Sequence, residues 1–279
     1  MARIVFGGTG GIGATFVKIS KFKGYDTRAL SSKSLDLREV GAVNKIKKLV
    51  SIEDDIVMLA ALTPERASST CLMIQNVTMF INVLKAISNI EFRHLVYVST
   101  DAVFGFQTET ISESTPKVPD SMYGASHLIR ERLLCAIIDP NRYCILRPCA
   151  IYGVEDTHKS YGIMKFLEQI LNERSVTVFG AGEEFRDHLH EDDLALILNE
   201  ALEKKIVGDF NVASGASMSF FDIAKQMTEL MLGHMKIHYE PRRIPIKHRR
   251  IDINKLTKNF DAKPRSIREG IYEMTSAND

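Results

Sequence analysis

An apolar run, Ile4-Val5-Phe6, breaks into a glycine-rich turn and then into a helix-like stretch carrying Ile12, Phe16, Val17 and Ile19. No other part of the chain narrows the possible folds as far. Gly7, Gly10 and Gly13 satisfy a GxxGxxG spacing, and Gly8, Gly10 and Gly13 satisfy GxGxxG. Glycine allows a tight turn and lets the backbone approach a pyrophosphate with no Cβ in the way. The helix that follows offers unpaired N–H groups to the anion. The arrangement predicts a dinucleotide held by Gly7, Gly10, Gly11, Ile12 and Gly13.

The rest of the first half alternates strand and helix patterns. Strands are predicted at Thr27–Leu30, Asp55–Ala60, His94–Val98 and Tyr143–Leu146, and helices at Val40–Val50, Thr70–Ile87 and Tyr123–Ile138. Near-continuous apolar strands separated by helices imply a parallel sheet covered on both faces. Ligands of such sheets bind at the strands' carboxyl ends, where Gly7, Ala60-Ala61, Ser99-Thr100 and Arg147-Pro148 fall in sequence. Beyond Gly153 the pattern loosens, with helices expected at Ile163–Leu171, Leu194–Leu202 and Phe220–Leu232 and strands at Val176–Phe179 and Asp209–Val212.

A formal charge of +1 creates no global field for nucleic acid or an anionic membrane. No apolar run is expected to reach the roughly 18 residues of a membrane span. The first strand starts so early that no targeting segment is expected before it. Cys71, Cys135, Cys144 and Cys149 lack CxxC pairing, and three lie in apolar stretches, so they are expected to be reduced core residues of a cytoplasmic protein. His188 and His190 lie near Asp192 and Asp193 but lack a third spaced ligand, so no metal is expected.

Ser99-Thr-Asp-Ala-Val-Phe-Gly105 and Tyr123-Gly-Ala-Ser-His127, taken with the glycine loop, resemble the extended short-chain dehydrogenase/reductase family of NAD-dependent epimerases and dehydratases. The likeness continues through Leu59-Ala-Ala61, Asn76, Leu146–Gly153, Phe179–Gly182, Arg186–Ala195, Phe210–Gly215 and Ile267–Ile271. The wording at Ser99–Phe104 is similar to the dTDP-4-dehydrorhamnose reductase branch. The resemblance implies a nucleotide-sugar reductase or epimerase. Tyr123 would exchange a proton with the sugar, and Thr100 would steady the same oxygen. It also implies cofactor contacts from Leu59, Ala60, Ala61, Asn76, Ser99 and Pro148, an adenine contact from Asp36-Leu37, and substrate contacts from Thr63, Asp101, Arg186, Arg243 and Arg250. A homodimer of this family would pair through Thr70–Ile87 and Tyr123–Ile138.

One departure matters most. The family's lysine four residues after the tyrosine is His127 here. A fixed positive charge about 5 Å from the phenol, at an effective dielectric of about 20, is worth about 3 kcal/mol. An ordinary histidine is mostly neutral at pH 7, so most of that is lost. Oxidising a hydroxyl needs the phenolate, whereas reducing a carbonyl needs the protonated phenol. Reduction of a 4-keto sugar is therefore expected to be preferred. The same departure supports a second expectation, a cofactor-binding regulatory or scaffold protein with impaired catalysis. The resemblance also implies Asp-Glu in the sugar 4,6-dehydratases where this chain has Asp101-Ala102, which argues against dehydration.

At the end of the second strand stand Arg28, Ser31, Ser32 and Lys33 rather than an acidic residue. That favours NADP over NAD, since a carboxylate there would bind the ribose 2′-hydroxyl. The resulting expectation is an α/β protein with a doubly wound Rossmann sheet. Residues 1–152 would hold the dinucleotide, and residues 153–279 would form a small α/β substrate cap, with parts near 185–215 returning to the sheet.

Overall fold

Alternate residues of the short apolar strands face opposite helical layers, and this decides the architecture. In the computed structural model, which describes residues 1–63, 69–105, 110–155 and 162–276, six parallel strands form one sheet. They are β1 (Arg3–Phe6), β2 (Thr27–Leu30), β3 (Asp55–Met58), β4 (His94–Val98), β5 (Tyr143–Pro148) and β10 (Gly208–Val212), in the order β10-β5-β4-β3-β1-β2. Ile4, Phe6, Ile56, Met58, Leu95 and Tyr97 point to one layer, formed by α2 (Ala42–Leu49), α3 (Ser69–Ile87) and α4 (Met122–Ile137). Val5, Val57, Val96, Val98 and Leu146 point to the other, formed by α1 (Gly11–Phe22) and α6 (Glu191–Glu203). The fold is a doubly wound Rossmann sheet.

The chain runs from β1 out to β2 and then returns to the other side of β1 as β3. This reversal opens a crevice at the carboxyl ends of β1 and β3. Gly7 marks the spot, with φ +87° and a site where a Cβ would lie 2.7 Å from the Ala60 nitrogen. β1 and the turn after β3 thus meet too closely for any side chain.

A third core supports the region above the sheet. It joins α5 (Ile163–Glu173), β7 (Val176–Phe179), α7 (Phe220–Leu232) and α9 (Ile267–Ser276) through Phe166, Ile170, Val178, Ile223, Met227 and Ile271. Short pairings link it to the sheet's upper edge. β6 (Ala150–Tyr152) pairs with β9 (His188–His190), β8 (Phe185–Arg186) with β11 (Met218–Ser219), and β12 (Ile237–Glu240) with β7. Helix α8 (Asn254–Asn259) packs beside β10.

Two expectations are corrected. Cys71 and Cys135 are exposed while Cys144 and Cys149 are buried, because α3 and α4 are peripheral and bury one face each. The segment Thr70–Ile87 is long and apolar enough to cross a membrane by length and composition. In this fold its Phe80, Val83, Leu84 and Ile87 pack into the sheet's core.

Candidate active site

A cleft of ≈ 1190 Å³ runs along the carboxyl edge of the sheet and beneath the third core. Gly7, Gly10, Gly11, Ile12 and Gly13 line one end. At Gly13 an added Cβ would stand 2.1 Å from the Gly7 oxygen, so α1 is seated directly on the turn. At Gly10 an added Cβ would meet nothing within 4 Å. The protein thus leaves that space clear, as an approaching pyrophosphate requires. Gly10 caps α1 without a side-chain hydrogen bond, and the first turn holds no acidic residue. No side chain of the cap or first turn competes with an anion for its N–H groups. The residues present fit a dinucleotide.

Farther along the floor lie Ser99, Thr100, Asp101, Tyr123, His127 and Pro148. Ser121 caps α4 by accepting from the Gly124 N–H at 3.1 Å, which starts the helix just before Tyr123. An added Cβ at Gly124 would lie 2.3 Å from the Ala102 oxygen. Only glycine lets α4 come this close to the Thr100–Ala102 turn, so Tyr123 and Thr100 share one cleft. Thr100 Oγ1 caps that turn, accepting from the Ala102 N–H at 3.2 Å.

His127 is buried, with its ring centroid 4.6 Å from that of Tyr123. Its Nδ1 is 2.8 Å from Tyr97 Oη, and its Nε2 has no partner among the described residues. Burial, helped by the nearby Arg130 charge, pushes the imidazole well below its ordinary value. Burial likewise raises the Tyr97 phenol. His127 is neutral at pH 7 for a stronger reason than intrinsic acidity. Behind it, Arg147 forks onto Glu131 at 2.8 and 2.9 Å, and Ser99 donates to the same carboxylate at 2.6 Å.

Leu59, Ala60, Ala61, Thr63, Ser31 and Ser32 also line the cleft. Asp36 and Leu37 line a small adjoining recess that shares Ser31 and Ser32 with it. Arg38, which sequence reasoning missed, also lines that recess and holds the Asp36 carboxyl down at about 2. Arg28 and Lys33 line neither the cleft nor the recess, Arg28 being 3.1 Å from Asp26 on the exposed side of β2. Asn76 is buried beneath the floor. Its amide donates to the Leu62 oxygen at 2.9 Å and its oxygen accepts from the Leu62 N–H at 2.7 Å, so it shapes the turn without lining the cleft.

Arg186 and Arg243 line the cleft, and Arg250 does not. Arg186 pairs with Glu184 at 2.5 Å. Arg250 stacks on Phe185 at 4.5 Å. Its neighbour Arg249 faces inward instead, donating to the Asp101 carbonyl at 2.9 Å and lying 3.3 Å from its carboxylate. Arg242, pairing with Glu183 and Glu184, lines the cleft as well. The cluster of four arginines in 242–250 was visible in the sequence. The bridge between Arg186 and Arg249 decides which of them point inward. His188, Asp187 and Phe220 also line the cleft; the sequence raised His188 only as a metal ligand and Asp187 only within the stretch Arg186–Ala195.

Residues 3–213 match the family described as the NAD dependent epimerase/dehydratase family. The dTDP-D-glucose 4,6-dehydratase of Dictyostelium discoideum is 25% identical over 164 residues, which is 53% of this chain and 38% of that protein. The chain thus spans under half the length of that relative. Among solved structures, the UDP-N-acetylglucosamine 4-epimerase of Methanobrevibacter ruminantium superposes with a TM-score of 0.84 at 23% identity, covering 99% of this chain and 97% of that one. The Thermus thermophilus UDP-glucose 4-epimerase, solved with NAD, gives 0.82 at 21% identity, covering 99% and 98%. At these identities the structures establish a shared fold.

Proposed function

The chain belongs to the NAD-dependent epimerase/dehydratase family, and from that premise we propose that it is a nucleotide-sugar oxidoreductase in which Tyr123 carries the proton and reduction of a 4-keto sugar is the preferred direction. The carrying observation is a single open cleft lined by the glycine turn, by Thr100, Tyr123 and His127, and by Arg186, Arg242, Arg243 and Arg249. NAD(P), when bound, supplies the hydride. Tyr123 donates its phenolic proton to the sugar oxygen as the C–O double bond is reduced, and Thr100 Oγ1 orients that oxygen. His127 lines the floor beside Tyr123, its Nε2 buried and without a partner among the described residues. The arginines hold the nucleotide diphosphate, since a guanidinium fork matches two phosphate oxygens at once.

The directional preference follows from neutral His127, which supports the protonated phenol far better than the phenolate. Epimerisation through a 4-keto intermediate uses the same groups in both directions and is the close neighbour of this activity. Dehydration is disfavoured because Ala102 brings no carboxylate next to Asp101. Ser31 and Ser32, with no carboxylate at the end of β2, support NADP. Exposed Ile74, Ile129 and Ile137 on α3 and α4 support a homodimer through those helices.

His127 also favours a second reading, a cofactor-loaded regulatory protein. The open, arginine-lined cleft weighs against it, because a scaffold has no need to keep that volume clear. The deciding experiment mixes the protein with NADPH or NADH and a panel of 4-keto nucleotide sugars and follows nicotinamide absorbance. Wild type should turn over with NADPH preferred, and Tyr123→Phe should lose about 10²–10⁴-fold. Unchanged turnover in Tyr123→Phe would overturn the assignment. Cofactor binding without turnover on any sugar would favour the regulatory protein.

A further inference from the structure

Arg130 is wholly buried on α4, three residues beyond His127 and seven beyond Tyr123. These spacings put the three side chains on one helical face. The guanidinium carbon lies 4.8 Å from the Phe80 ring centroid and 4.9 Å from that of Tyr97. Nη2 donates to the Ala60 oxygen, in the cleft floor, at 3.1 Å. Nε and Nη1 have no partner, and no carboxylate pairs with this side chain among the described residues. A buried, unpaired guanidinium is strongly unfavourable in a low-dielectric interior, and packing alone would be served by a methionine. What surrounds this charge instead is a series of rings leading to the cleft. Arg130 stacks on Tyr97, Tyr97 Oη is 2.8 Å from His127 Nδ1, and the His127 ring sits against Tyr123.

We propose that Arg130 is a positioning residue which delivers to Tyr123, across the Tyr97–His127 pair, the fixed positive charge that His127 does not carry. The inference rests on Tyr123 being the proton carrier. Among the described residues, the groups facing the cluster leave Arg130 as its uncompensated charge. From β4 comes Tyr97; from α4 come Tyr123, His127 and Glu131, the last paired with Arg147 of β5; Asp101, from the turn after β4, lines the same cleft as Tyr123. Glu131 and Arg147 offset each other in a forked pair, and Asp101 is held by Arg249. α3 contributes the uncharged Phe80. Two helical turns rise about 10.5 Å, and both side chains lean toward the helix N-terminus, so the charge acts from about 10 Å. At an effective dielectric of about 20 this raises the phenolate fraction of Tyr123 roughly tenfold to twentyfold. A lysine at about 5 Å would do more. Reduction stays preferred, while the oxidative half of an epimerisation becomes accessible at alkaline pH.

The test is an ultraviolet titration of the Tyr123 phenolate, isolated by subtracting the Tyr123→Phe variant, in wild type, Arg130→Met and Arg130→Lys. Arg130→Met keeps most of the volume and removes the charge, and should move the midpoint up by about one pH unit. Arg130→Lys should restore most of that. The alkaline limb of the pH–rate profile for sugar oxidation should move in parallel. Should Arg130→Met not fold, Arg130→Gln, which keeps a donor for Ala60, supplies the neutral comparison. A midpoint that moves by less than about 0.3 unit, or that moves equally in the lysine variant, would overturn the proposal. The titration needs no turnover. A protein that reduces no sugar yet shows the shift would fail the proposed activity and keep the charge assignment, and turnover without the shift would do the reverse.

Discussion

Gly10 and Gly13 stand three residues apart in the same turn, and the structure assigns them opposite duties that one pair of substitutions separates. Gly10 has φ −96° and ψ 157°, a conformation open to alanine, and its added Cβ would meet no atom within 4 Å. Gly10→Ala should therefore change stability by less than about 1 kcal/mol. Its methyl would occupy the space left for the pyrophosphate and remove a charge-assisted hydrogen bond worth about 1.5–3 kcal/mol, a loss of about 10–100-fold in affinity. In Gly13→Ala the Cβ would stand 2.1 Å from the Gly7 oxygen and 2.9 Å from the Gly8 Cα, both rigid backbone. Overpacking of this kind costs about 3 kcal/mol or more. Thermal unfolding with and without cofactor reads both quantities. At 100 times the wild-type Kd the cofactor stabilises wild type by about 2.7 kcal/mol. At about 2–3 °C per kcal/mol that is a Tm gain of roughly 5–8 °C. Gly10→Ala with a 100-fold weaker Kd would gain only about 0.4 kcal/mol, or roughly 1 °C. Gly13→Ala should melt roughly 6 °C or more below wild type before any cofactor is added. A Gly10→Ala protein that keeps the full cofactor gain, or that melts as low as Gly13→Ala, would refute the assignment of that space to a ligand.

Two further predictions concern the buried charges. Burial lowers His94 and His188 from the ordinary 6.5 to about 4, so both are neutral in the folded protein. The unfolded chain takes up these protons first. Their stabilisation is complete above pH 6.5 and is lost as pH falls to about 4, by about 3 kcal/mol for each histidine. Denaturant unfolding of His94→Gln across this range should show a shallower pH dependence than wild type, and parallel curves would contradict the argument. Glu131→Ala strands the Arg147 guanidinium, 3% exposed, with Asp209 alone. It should lower stability by on the order of 3 kcal/mol, measured by chemical denaturation, and a loss below about 1 kcal/mol would show that Asp209 suffices.

The sequence by itself determined the elements whose signal is local. β2 and α7 fall on their predicted bounds because apolar periodicity and a following glycine or polar turn mark them within a few residues. The glycine turn was equally legible, since GxxGxxG after a strand admits few physical uses. Strands of two or three residues such as β6, β8, β9 and β11 were not legible, because so short a run has no period. The tertiary structure alone decided orientation and pairing. Arg249 and Arg250 are identical in composition, yet one reaches Asp101 and the other stacks on Phe185, because strand-like pairing beside Arg186 turns successive side chains to opposite faces. Arg28 is drawn to Asp26, and Asn76 is committed to the Leu62 backbone, by neighbours that sequence spacing does not reveal. Arg130 reads in sequence as one more helical cation. Only the fold removes it from water, leaves it without a carboxylate among the described residues and sets it against Tyr97, because burial and partnership belong to the assembled chain.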